Sequence, residues 1–313
     1  LSALLPLKGF LTSAWFKRRT ESRGQQSMAL EQLGARFCNL VPPNDPNNFD
    51  LTTSSGTWQF AQEPNYNDHK SAIENGQIGA TYVVTLDIDT STSRDSRIGA
   101  AIDEMLAISL GASYLTGMTV APFQDLPFSV VKFLQYGDHF PRPRAMGFGW
   151  PLFDTLDQFV KELGVFVEAY QPLERSHNAR LLIHHWLDSL AFWSLEDLTL
   201  SASTILEIIS ATAQRSGGAG VNTFNKGLEH AASQYSLPQL SRNFRNMRND
   251  LVHEGHLSGS NFPNKDIIAC AQAAASALEW IDVYICKVFG LTLPRLTRFG
   301  PNTFVNINAF SLD

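Results

Sequence analysis

The stretch RNMRNDLVHEGH, residues 245–256, gathers arginine, asparagine and histidine in a chain whose formal net charge is -6. These side chains together can act on a phosphodiester. Cleavage of RNA by its own 2′-hydroxyl needs a base that titrates near neutrality, a cation for the phosphate oxygens, and a proton for the leaving oxygen. Histidine is the side chain whose ordinary pKa lies nearest that task. Arginine offers a planar, permanently charged fork whose grip strengthens as charge develops on phosphate. Asparagine can orient either the phosphate or the imidazole ring.

Spacing sorts these residues by helix face. With a helix over 238–254, Pro238 falls in the first turn, where proline is tolerated, and Gly255 ends it. Leu240, Phe244, Met247 and Leu251 then form a buried stripe. Arg242, Arg245, Asn249, His253 and, if the turn continues, His256 fall opposite, with Arg248 at the edge of the stripe. Asn249 and His253 are four apart, so they lie one above the other and can meet one ligand group. Arg248 and His253 are five apart and point about 140° from each other on an ideal helix. They converge only if the helix is distorted or a second chain completes the site. Spacing alone fits a solvated helix face as well as it fits an active site.

Other stretches offer weaker chemistry. Arg180 and His185 in RLLIHH share a similar Arg-to-His spacing, but Leu181 follows the arginine and the segment reads as the start of a buried helix. Adjacent His184 and His185 diverge on a helix, which makes them poor joint metal ligands. DIDTSTSRD (87–95) opens like a calcium loop, yet has Thr92 where that loop needs glycine and Ile98 where it needs glutamate. RSGGAGVNT lacks the Gly-Lys-Ser/Thr of a phosphate loop and reads as an interhelical connection. HFPRPR carries Phe140, Arg142 and Arg144 on what reads as a surface turn. The three cysteines, Cys38, Cys270 and Cys286, form no CxxC pair and suggest neither a disulfide framework nor a zinc site, which fits a reducing cytoplasm.

Those residues need elements to hold them. With 313 residues, 44% hydrophobic and 17% charged, the chain can build two domains with sizeable cores. Its acidic balance argues against a surface that grips nucleic acid everywhere. Residues 1–27 precede Met28 and read as a leader or extension, or else as an amphipathic helix at a partner surface; Pro6 and Lys8 interrupt the apolar run, so it is neither a signal peptide nor a membrane span. VPPNDPNNFD (41–50) forbids regular structure. ATYVVTLDIDT alternates with period two, a strand; SRIGAAIDEMLAISLGA has near-helical spacing; FSVVKFLQYG suggests a further strand. Residues 28–150 therefore read as a mixed α+β domain. From Pro151 the spacing turns helical, beginning with Phe153, Leu156, Phe159, Val160, Leu163 and Val167. Ser194 with Asp197 suggests a helix start, Gly217-Gly218 a stop, 222–234 a short helix, and 265–289 a long alanine-rich one ending at Gly290. Residues 151–291 form the helical domain and 292–313 a tail.

In this setting RNDLVH resembles the Arg-x4-6-His motif of HEPN ribonucleases, in which a polar residue follows the arginine. The arrangement of a late motif helix and a long final helix, behind a mixed N-terminal domain, is similar to that of Apea-like HEPN proteins of microbial defence. The resemblance covers roughly residues 175–290. It implies an all-α bundle and a metal-independent endoribonuclease without cofactor, with Arg248, Asn249 and His253 catalytic and Arg242, Arg245 and His256 binding RNA. It further implies a homodimer, with an antitoxin or sensor as partner; because facing arginines repel, the dimer's contact energy is expected from the apolar residues Ile267, Ile268, Trp280 and Val283 of the last helix. The alternative is the same fold without catalysis, binding RNA, a nucleotide or a protein.

Overall fold

A computed structural model describes residues 14–20, 29–89, 91, 93–122, 151–190, 194–218, 220–294 and 298–299. The strand expected at FSVVKFLQYG and the HFPRPR turn lie outside the described residues. The chain divides into two compact units, 1–168 and 169–313.

The first unit is built on an antiparallel sheet. Strands β1 (Ala14–Thr20), β2 (Ala29–Cys38), β3 (Asn48–Thr53), β4 (Gly56–Gln62) and β5 (Ala80–Asp89) lie in the order β1-β2-β5-β4-β3. Two-residue β6 (Ala121–Pro122) pairs with β2 at Phe37 and Cys38, beyond the end of β1. Strand β1 lies inside the stretch 1–27 that the sequence leaves as a leader, an extension or an amphipathic helix, and over 14–20 the backbone is extended, not helical. Trp15 and Phe16 favour extended backbone, and β2 offers it an edge in register from Ala29 to Ala35. On β5 the period-two reading holds, with Tyr82, Val84, Leu86 and Ile88 all buried.

Between β4 and β5 runs α1 (Tyr66–Glu74), and after β5 comes α2 (Arg94–Thr116), which packs on β5 and β6. Glu104 of α2 fastens the β3–β4 hairpin. Its carboxylate accepts from Thr53 Oγ1, from Ser55 Oγ at 2.7 Å and from Trp58 Nε1 at 2.6 Å. Among the described residues α2 is the one helix long and apolar enough to cross a membrane, but 61% of its apolar window is buried inside the structure, as in the core helix of a soluble protein.

The division between the units falls inside α3 (Leu156–His177), between Glu168 and Ala169, within the span 145–175 over which the sequence changes character. The first half of α3 belongs to the sheet's core: Phe159 meets Phe49 edge to face, Phe166 stacks near Tyr114, and Leu163 and Phe166 crowd Gly111.

The second unit continues with α4 (Ala179–Ser189), α5 (Leu195–Ser216), α6 (Phe224–Gln234), α7 (Arg242–Glu254) and α8 (Ile267–Phe289). Helix α5 is central and touches the other four. The expected punctuation acts as read: Ser194 caps α5 by accepting from Asp197 N, and α8 ends at Gly290 with φ +71. Alanines 271, 273, 274, 275 and 277 of α8 are buried, the small side chains that let helices approach closely. Gly227 does the same for α6, since a Cβ there would lie 2.7 Å from the Ser210 carbonyl oxygen of α5. The segment read as a tail contains a buried anchor. Arg298 donates to both carboxylate oxygens of Asp282 on α8, at 3.0 and 2.6 Å, and its guanidinium lies 4.4 Å from the Trp186 ring of α4.

Candidate functional site

Helix α7 is almost all polar, so a few anchors must fix its face. It begins at Arg242, capped by Ser241, whose Oγ accepts from Asn243 N at 3.2 Å; Pro238 and Leu240 precede it, so the helix is one turn shorter than the sequence suggests. Pro238 has another role: its carbonyl accepts from Trp280 Nε1 at 2.7 Å. Phe244 and Met247 are buried as expected, and Leu240 is buried ahead of the helix, whereas Leu251 is only half-buried. The third buried anchor of the helix is Asp250, with no exposed surface.

Asp250 holds the connection from α7 to α8. Oδ1 accepts from Asn261 N at 2.9 Å and Asn261 Nδ2 at 2.6 Å; Oδ2 accepts from Gly259 N at 2.9 Å and Phe262 N at 2.6 Å. Burial alone would raise its pKa, but these donors outweigh burial and hold it below the ordinary aspartate value. Gly255, with φ +76, turns the chain out of the helix where a Cβ would be strained.

With α7 so fixed, Arg242, Arg245, Arg248 and Asn249 line one cleft of about 560 Å³, together with Phe224, Asn225 and Glu229 of α6 and Ser203 of α5. Arg248 is only 24% exposed. Its Nη2 pairs with Glu207 Oε1 of α5 at 2.9 Å, its Nη1 donates to Asn249 Oδ1 at 3.3 Å, and its guanidinium lies 5.6 Å from the Phe224 ring centre. Arg245 Nη1 donates to Asn225 Oδ1 at 3.1 Å. The Nε atoms of both Arg245 and Arg248 are buried without a hydrogen-bond partner in the protein. A buried donor left unpaired costs free energy, and an acceptor brought by an anion removes that cost. Three guanidinium groups against the carboxylates of Glu229 and Glu207 leave the cleft net positive.

His253 and His256 do not line this cleft. Both are exposed, His253 in the last turn of α7 and His256 beyond it. The structure thus brings together four of the six expected site residues and leaves the two histidines outside: His253 shares the face of Arg242 and Asn249 but lies one turn beyond Asn249, so the expected meeting of Asn249 and His253 at one ligand group is not made in this cleft. Of the expected dimer surface, Ile267 and Ile268 are exposed, Val283 is half-buried, and Trp280 is in the core.

Arg180 of the competing motif pairs with Glu174 through Nε at 3.7 Å. His184 is half-buried on α4; burial, then the charges of Arg180 and His185, pull its pKa down to about 4. Among the described residues no three histidine, cysteine, aspartate or glutamate side chains group as a metal site.

No family model, curated protein or solved structure matches the chain.

Proposed function

We propose that the chain is a metal-independent endoribonuclease of HEPN type, acting in the cytoplasm within a microbial antiviral-defence or toxin-like system. The reading rests on one observation: Arg248 and Asn249 of the motif share a cleft with Arg242 and Arg245, and two of these guanidinium groups keep buried donors unpaired. Such a cleft suits a phosphate. The order of helices, with the motif on α7 and a long α8 after it, supports a HEPN-like bundle.

In this reading Arg248 holds the non-bridging oxygens of the scissile phosphate and Asn249 orients it. The 2′-oxygen attacks phosphorus and its proton passes to His253. The 5′-oxygen departs taking a proton from solvent, leaving a 2′,3′-cyclic phosphate and a 5′-hydroxyl. His253 lies outside its own chain's cleft, so the histidine that acts at Arg248 comes from a second copy. A two-fold dimer supplies it and shields the arginines from water, which strengthens their hold on phosphate. An antitoxin or sensor partner would act on this assembly.

Purified protein should cleave single-stranded RNA in EDTA and leave 2′,3′-cyclic phosphate ends. Arg248→Ala and His253→Ala should each remove most of the activity while the fold is retained, and Arg180→Ala should not. Products with 3′-hydroxyl ends, or full activity of a monomer, would refute the scheme. A second reading, a non-catalytic module that binds RNA, is favoured by the ion pair between Arg248 and Glu207 and by the exposed histidines. It predicts RNA binding that survives His253→Ala with no cleavage by either protein.

A further inference from the structure

The cleft holds more than a phosphate requires. Beside its three arginines it contains an aromatic wall, Phe224, and one carboxylate, Glu229, whose oxygens can only accept hydrogen bonds. Glu207 already engages Arg248, and no ion pair or hydrogen bond occupies Glu229 among the described residues. At about 560 Å³ the space accommodates a base and its phosphate together.

We propose that this cleft reads one unpaired guanine: the base lies on the Phe224 and Arg248 wall, its Watson–Crick edge meets Glu229, and its phosphate meets Arg242 and Arg245. The inference rests on the RNA reading above and names the base it selects. Unpaired bases are recognised by stacking on aromatic and guanidinium planes and by hydrogen bonds to their edges. The chemistry of Glu229 decides among the four. Two carboxylate oxygens need two adjacent donors, and guanine supplies N1–H and the N2 amino group side by side. Adenine and cytosine present one amino group beside a ring nitrogen lone pair, which repels the second oxygen. Uracil presents a single N3–H between two carbonyls. Within a strand the 3′-oxygen is esterified, so the ribose offers one hydroxyl and no such pair. Asn225 spends its carbonyl on Arg245, which leaves its amino group as a donor for O6 of the same base.

The test is the binding of guanosine, adenosine, cytidine and uridine 3′,5′-bisphosphates, whose 3′-oxygen is esterified as within a strand, to the full chain, measured by calorimetry in EDTA. Guanosine bisphosphate should bind at least about tenfold tighter than the other three, the discrimination typical of a bidentate base contact. Glu229→Gln should erase that preference, because an amide carries one acceptor and one donor where guanine presents two donors. Arg242→Ala and Arg245→Ala should weaken all four alike. Equal affinity for the four nucleotides, or a guanine preference that survives Glu229→Gln, would overturn the base assignment and leave the RNA reading standing. Failure of every nucleotide to bind, with the same failure for a short single-stranded RNA, would overturn both.

Discussion

Replacing Asp250 by asparagine tests how the motif helix is held. The carboxylate accepts four hydrogen bonds, two on each oxygen, from Gly259 N, Phe262 N, Asn261 N and Asn261 Nδ2. An asparagine keeps one acceptor and sets an amino group against two donors. Whichever way the amide turns, two charge-assisted bonds are lost, each worth roughly 1.5–3 kcal/mol. With some yielding of the connection, the expected cost is about 3–5 kcal/mol, a large share of the ~5–15 kcal/mol that stabilises an ordinary domain. Hydrogen exchange read by mass spectrometry, on peptides covering 256–263, should quicken in Asp250→Asn, and the urea midpoint should fall. Acid offers a second reading. Because the folded pKa of Asp250 is lowered, its stabilisation is complete above the unfolded value near 3.9 and fades as pH drops through the folded value. The variant should lose this part of the acid sensitivity. Unchanged exchange over 256–263, together with a loss below about 1 kcal/mol, would show that the connection does not depend on the carboxylate.

His184 favours its neutral form in the fold, so stability should be fully present above the unfolded pKa near 6.5 and decline as pH falls from there to about 4, by up to about 3 kcal/mol; His184→Gln should flatten that slope in thermal melts. Gly227→Ala should force α6 away from Ser210 of α5, lowering the melting temperature and weakening nucleotide binding, because Phe224, Asn225 and Glu229 move with α6. Arg298→Ala leaves the Asp282 carboxylate buried without its guanidinium and should cost about 3–5 kcal/mol in chemical denaturation, whereas Arg298→Lys should recover only part of this because lysine lacks the planar fork.

Periodicity made much of the fold legible. The alternation at Tyr82 to Ile88 and the caps at Ser194, Gly255 and Gly290 follow from local backbone chemistry, and each falls where the sequence puts it. Strand β1 was hidden because its reason to form is the open edge of β2, a partner distant in the chain. The division falls in the span 145–175 where the spacing changes, but its exact place inside α3 was not legible, since Phe159 and Phe166 are apolar toward any core and their spacing does not say which. At the site, four of the six expected residues share the cleft, while His253, on the face of Asn249 but a turn further along, stays outside it, which helix angles alone do not foretell. Glu207, Phe224 and Glu229 could not be found by reading along α7, because they reach the cleft from α5 and α6. Asp250 was readable in part: it stands three residues after Met247, at the flank of the buried stripe, and an acid there needs local donors such as the amides of a following turn.

The contact between Arg298, Asp282 and Trp186 ties assembly of the helical unit to the order of synthesis. Helices α4 and α8 leave the ribosome before residue 298 does, so for that interval Asp282 must stay hydrated or meet other donors. The bidentate pair closes last, at the chain length at which residue 298 leaves the exit tunnel. A nascent chain stalled short of that length should resemble Arg298→Ala: helical, loosely packed around Trp186, and open to proteases at α8. The arginine beside the indole makes that closing step visible as a change in Trp186 emission, so with the other five tryptophans replaced, folding of this unit during translation can be followed at one position without an added label.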